Sequence, residues 1–221
     1  MPDTPSTTPG SLWSNRRFAT LFAAHALSLV GSGIGSIALA LLAEHLTGAS
    51  AARVLSFTLT IRIAIFVFLS PVAGQIAQRL GSKTTMLLMD VLRAGIILGF
   101  FFVDAVWQIY LLAFFLHLGS AIFTPVYKAV IPGITGEDDY PKALAYGSIA
   151  YDLSTIAGPS LAALVIALAG YRGSFLVDAA SFLLGALLIL TIRIDPPGDE
   201  TKAKTEILYG ARRILSDAGL R

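Results

Sequence analysis

Four ionisable side chains lie where charge is costly. Arg62, Asp152, His25 and His117 each fall inside an apolar run long enough to cross a bilayer. A charged group at the centre of a spanning helix costs about 2.5–3.5 kcal/mol on insertion scales, so each is a candidate functional residue by default. Asp152 lies about 12 Å into its run at 1.5 Å per residue. It could take up and release a proton, with Arg62 as its counter-charge. Alternatively, Asp152 and Arg62 pair and simply hold two helices together. His25, His117 and Asp152 together offer nitrogen and oxygen ligands that suit nickel or another divalent cation. The competing role for each histidine is packing against a neighbouring backbone carbonyl. No cysteine is present, which excludes disulfides, thiolate catalysis and cysteine-ligated metals.

The elements that must position these groups are long and oily. The 221 residues are 55% hydrophobic and 14% charged, against about 25% charged in a typical soluble domain. Mean hydropathy is +0.74. Six runs, 18–42, 54–76, 85–103, 106–131, 144–169 and 174–192, each approach the ~20 residues that a helix needs to cross ~30 Å of hydrocarbon. Barrel strands would alternate apolar and polar residues, and these runs do not. The expected fold is therefore all-α, with a tail at 1–17, a six-helix transmembrane bundle at 18–193 and a linker at 194–221. The first run is too long for a signal peptide and has no cleavage site after it. Within the linker, Ile207, Leu208, Ala211, Ile214 and Leu215 recur near helical spacing around Arg212 and Arg213. That pattern fits an interfacial amphipathic helix or a fraying loop.

Charge orients the bundle. Twelve of the sixteen Lys and Arg residues fall on one side, at the two termini, in the loop after the second run and flanking the loop after the fourth, Lys128 at the end of that run. Arg53 and Arg172 alone fall on the other, and Arg62 and Arg93 lie inside runs. The positive-inside rule places both termini in the cytoplasm of a multi-pass protein, as in a bacterial inner membrane. The outer connections are short, at 43–53, 104–105 and 170–173. Asp178 falls near the outer end of the sixth run, where it is expected to reach the interface.

Two motifs are more specific. Between runs two and three the chain reads Gly74-Gln75-Ile76-Ala77-Gln78-Arg79-Leu80-Gly81-Ser82-Lys83. This resembles the signature loop of the major facilitator superfamily, G-x-L-A-D-R-x-G-R-K, with Gln78 in place of the acidic residue and Ser82 in place of a basic one. An ordinary basic turn would explain Arg79 and Lys83 but not glycines at both positions. In the family the carboxylate is thought to lock the outward-open state, so here the lock is weaker or Asp90 takes its role. Asp90 and Arg93, three apart on one helix face, can pair and resemble the drug-exporter branch. In run five, Ser154 through Ala162 includes Gly158-Pro159 and resembles the antiporter motif G-x-x-x-G-P-x-x-G-G. Proline removes a backbone donor and small residues allow close approach. Residues 106–165 also look like the nickel-resistance permeases, with Ser154 where those carry an acidic residue.

The resemblance implies two inverted three-helix repeats, a cavity lined by spans one, two, four and five, and a second six-helix half. That half would come from the same gene product, a separate chain or a second copy. The implied function is a secondary exporter working by alternating access and driven by protons. Its substrate would be a small amphiphilic molecule or a divalent metal ion, with lipid as solvent and no cofactor or nucleic acid involved. A truncated, non-transporting half and a membrane scaffold are the alternatives. Gly31-Ser32-Gly33-Ile34-Gly35 follows no strand and is not a nucleotide loop. Gly31 with Gly35, and Gly95 with Gly99, are expected helix-packing faces. Gly-x-Ser-x-Gly and His-Glu-x-x-His are both absent, which argues against a hydrolase.

Overall fold

The computed structural model describes residues 12–194, and every regular element among them is helical. The tail pattern at 204–215 lies outside the described residues. Helix α1 spans Arg16–Thr47. It starts at Asn15, whose side chain accepts from the amides of Arg17 and Phe18, two of the donors every helix start leaves unpaired. The expected outer loop at 43–53 is mostly helix. Nothing in 43–47 breaks the helix, which stops only where Gly48 turns to positive φ. A 3-10 turn at Gly48–Ser50 leads into α2 (Ala51–Leu69).

A second 3-10 turn, Ser70–Val72, contains the proline that interrupts the helix, and α3 (Ala73–Leu80) follows. The reversal into α4 (Ser82–Phe100) takes the single residue Gly81, at φ 82° and ψ 142°. Helix α5 covers Val106–Thr135 and α6 covers Tyr140–Thr191. Within α6, Gly170 at φ 72° and ψ 169° separates two helical halves.

The stretches Arg16–Leu69, Val106–Thr135 and Tyr140–Thr191 are long and apolar enough to cross a membrane. The first and last hold 54 and 52 residues, well over the ~20 that one crossing needs, and each contains a glycine-marked break. Helix α4 is not among the three; it carries Lys83, Asp90 and Arg93 within 19 residues.

Helix α1 packs chiefly on α6, α4 on α5 and α6, and α2 on α5. Long-range hydrogen bonds show which ends lie together. Asn15 Nδ2 donates to the carbonyl of Ile134 at 2.8 Å, joining the start of α1 to the end of α5. Lys83 Nζ donates to the carbonyls of Leu190 (2.8 Å) and Ile192 (2.6 Å) at the end of α6. At the opposite end Arg172 donates to the carbonyls of Phe101 (2.7 Å) and Val103 (3.1 Å). These bonds pair carbonyls at, or within three residues past, helix C-termini, where the helix itself leaves acceptors orphaned. One apolar cluster near Phe18, Phe123 and Ile189 fills the first end, and another around Leu42, Phe100 and Phe175 fills the second.

The outer faces are as oily as the interior. Phe68, Ile156 and Leu168 are 74%, 75% and 80% exposed. Such surfaces suit lipid, where only internally bonded helices or closed barrels are viable.

Candidate transport site

The most deeply buried charges lie where α1, α4, α5 and the second half of α6 meet. Asp90 and Arg93 on α4 form the expected i,i+3 ion pair, with Arg93 Nη2 donating to Asp90 Oδ1. Arg93 Nε also donates to the carbonyl of Met89 at 3.3 Å. The guanidinium lies between two rings, 4.2 Å from the centroid of Phe123 and 4.4 Å from that of Phe182. A cation clamped between aromatic faces gains from both quadrupoles. Gly119 on α5 leaves room for the Arg93 stem, which a Cβ there would approach to 3.0 Å.

Asp178 joins this group, contrary to the expectation that it reaches the interface. It is 2% exposed and lies against α1 at Gly31 and Gly35. Arg93 acts electrostatically on both Asp90 and Asp178. The apolar run around Asp178 does flag it as costly. Its depth was hidden because a linear count of residues cannot say which way a helix face turns. Gly31 and Gly35 do form the expected packing face, and a Cβ on either would collide with Asp178 or Ser181. Gly99 meets Leu112, whereas Gly95 has no neighbour within 4 Å and does not pack a helix.

The other ionisable candidates do not converge. Arg62 is exposed on α2, its guanidinium 5.9 Å from the Phe66 ring. Asp152 is exposed on α6. The described residues contain no ion pair between them. Half-buried His117 lies on α5 within electrostatic reach of Arg62. Half-buried His25 lies tilted against the Tyr127 ring at 4.2 Å and stacked on Phe123 at 6.0 Å. Its ring contacts are to side chains of α5. Among the described residues no three His, Cys, Asp or Glu side chains gather to hold a metal ion, so His25, His117 and Asp152 are not a ligand set here.

The two motif regions have clear local roles. Gly81 supplies the positive φ of the α3–α4 reversal, a conformation that costs other residues a Cβ clash. Gly74 has open space around it, Gln78 and Arg79 are on the exposed side of α3, and Lys83 is committed to the end of α6. Ser154 Oγ donates to the carbonyl of Tyr151 at 2.7 Å, which spends its hydroxyl within its own helix. A Cβ on Gly158 would come within 3.2 Å of Gly33 Cα, so α1 and α6 cross there backbone to backbone. Pro159 follows on the exposed face.

Long apolar helices with a charged cluster sealed between them define a helical membrane protein. The sequence matches the Major Facilitator Superfamily over residues 21–217, and the chain belongs to that family of transporters. It is 27% identical over 198 residues to an uncharacterized MFS-type transporter, YfiS of Bacillus subtilis, covering 86% of this chain and 47% of that protein. It is 25% identical over 192 residues to macrolide efflux protein A of Streptococcus pyogenes, covering 85% and 47%. Multidrug resistance protein MdtG of Dickeya zeae is 24% identical over 117 residues, covering 53% and 29%. The chain spans about half the length of the first two relatives.

Proposed function

We propose that this chain is the six-span amino-terminal half of an efflux transporter that works by alternating access and is driven by protons. The observation that carries the reading is the family match together with similarity to proteins named for macrolide and multidrug efflux. The six crossings follow if Arg16–Leu69 and Tyr140–Thr191 each cross twice, reversing at Gly48 and Gly170, with α4 and α5 crossing once. Spans one to three and four to six then form two inverted repeats. Both termini lie on the cytoplasmic side of the cell membrane.

A second six-helix half completes the cavity. The exposed faces of α2 and of the first half of α6 are what that half and the surrounding lipid would cover. Arg62, Asp152, His117 and His25 line the proton or substrate path, and Gly33 against Gly158 is the close crossing about which α1 and α6 rock. A small amphiphilic substrate fits better than a divalent cation, because the groups suited to a metal are spread over three helices.

The test is susceptibility of a drug-sensitive bacterial host with and without the full-length gene product. Raised tolerance to macrolides or other amphiphiles, lost when the proton gradient is collapsed, is the expected result. Protection from nickel alone would overturn the substrate class. Tolerance that survives collapse of the gradient would overturn proton coupling.

A further inference from the structure

Asp90 and Asp178 are two buried carboxylates facing one buried guanidinium. Among the described residues, Asp90 Oδ2 and Asp178 Oδ1 have no hydrogen-bond partner, and both residues are at most 2% exposed. Nearby hydroxyls cannot serve them while they point where they do. Ser181 Oγ donates to the carbonyl of Asp178 at 2.7 Å, and Ser28 Oγ donates to the carbonyl of Ala24 at 3.1 Å. Arg93 gives one guanidinium N–H to Asp90 and its Nε to Met89. Fully charged, the trio would carry one uncompensated negative charge away from water. Such a charge is resolved in proteins by neutralising the group or pairing it.

Among the described residues, the cation that acts on Asp178 is Arg93. From α4 it faces Arg93, the guanidinium that also bonds Asp90. From α1 it faces Gly31 and Gly35, and the titratable residue of that helix near the cluster, His25, is turned to Tyr127 and Phe123. From α5 the neighbours of the cluster are Gly119 and Phe123, which bring no charge to it.

We propose that Asp178 binds a proton in the notch formed by Gly31 and Gly35, that Arg93 and Asp90 set its charge balance, and that release of this proton loosens the seam between α1 and α6. Release breaks the carboxyl O–H bond, hands H⁺ to water and leaves a carboxylate; no electron changes hands. The carboxylate then competes with Asp90 for Arg93 while pressed against α1 backbone that offers it no side-chain donor. The seam is sensitive at this point because the two glycines leave no slack: a Cβ on Gly35 would overlap Asp178 Oδ2. The link to transport rests on the function proposed above; the proton site itself does not.

Two measurements on the purified chain in detergent test it. Infrared spectra of protein carrying isotope-labelled aspartate should show a protonated carboxyl band at neutral pH that disappears in Asp178→Asn and persists in Asp138→Asn, an exposed loop control. The second reads thermal stability against pH. A native state that holds a proton the unfolded chain has given up loses stability as pH rises, its unfolding constant growing about tenfold per unit. The melting temperature of wild type should therefore fall through neutral pH, and that of Asp178→Asn should not. No protonated band in wild type, or a band untouched by Asp178→Asn, overturns the proposal. So does a melting temperature that follows sodium concentration and ignores pH. Should Asp178→Asn fail to fold, absence of the wild-type band still overturns the proposal. The band without efflux by the full-length product sinks the transport reading only, and efflux by that product without the band sinks this one only.

Discussion

Lys83 and Arg172 lie at opposite ends of one antiparallel helix pair and do the same work there. Lys83, in the first turn of α4, donates to the carbonyls of Leu190 and Ile192 at the end of α6; Arg172, just past the Gly170 break, donates to the carbonyls of Phe101 and Val103, immediately beyond the end of α4. Each helix thus begins with the cation that closes its neighbour's end. The two contacts are reciprocal, one at each end of the pair formed by α4 and the second half of α6.

Removing either cation should therefore cost stability. Lys83→Met and Arg172→Met are each expected to lower it by about 1 kcal/mol, below the ~1.5–3 kcal/mol of a buried charge-assisted bond, since both side chains are partly exposed. Lys83→Arg should recover most of the loss. The double variant should be close to additive, because distant sites share no partners. Melting in detergent checks all four variants, and strong non-additivity would show that the two ends are coupled.

The glycines sort by space. Gly35→Ala and Gly31→Ala should destabilise by about 1–3 kcal/mol through overpacking against Asp178 and Ser181. Gly158→Ala should do the same where α6 meets Gly33. Gly95→Ala, with open space around it, should be neutral or slightly stabilising, since alanine favours helix over glycine by up to about 1 kcal/mol. The same melting assay ranks them, and equal losses at positions 35 and 95 would contradict the packing.

Arg93 should be the least replaceable side chain of the cluster. Arg93→Ala strands Asp90 and is expected to destabilise by about 3–5 kcal/mol, the cost of leaving one partner of a buried pair alone. Adding Asp90→Asn should restore part of that loss. Arg93→Lys keeps charge but loses the planar fork that stacks between Phe123 and Phe182, and should fall between wild type and alanine. Recovery in the double variant, read as folded yield and melting temperature, separates charge from packing.

The exposed candidates should behave differently. Asp152→Asn and Arg62→Gln touch no buried pair, so their melting temperatures should stay near wild type while drug tolerance falls in the full-length transporter. A drop in folded yield without a change in tolerance per folded molecule would make them structural.

Topology can be read from the outside. Tags after Gly48 and Tyr171 should be reachable from the external side of intact cells, and tags after Gly81 and Gly136 only from the cytoplasm. Access to all four from one side would end the six-crossing proposal.

Residue order alone determined the solvent. Apolar runs of spanning length leave helices as the available element, because every backbone polar group must find its partner within the segment. The glycines at 48, 81 and 170 lie at or beside the reversals read from the sequence, since positive φ is a local property of one residue. The Asp90–Arg93 pair was legible for the same reason: helical spacing puts residues three apart on one face. Direction of facing was not legible. Only tertiary packing turned Asp178 inward onto Gly31 and Gly35, left Arg62 and Asp152 unpaired with each other, and set Lys83 against the end of α6, 107 residues away. In an almost uniformly oily chain the pattern of apolar residues barely distinguishes lipid from neighbouring helix. The rotation of each helix is then decided by a few close backbone approaches and buried charges, whose partners lie far along the sequence.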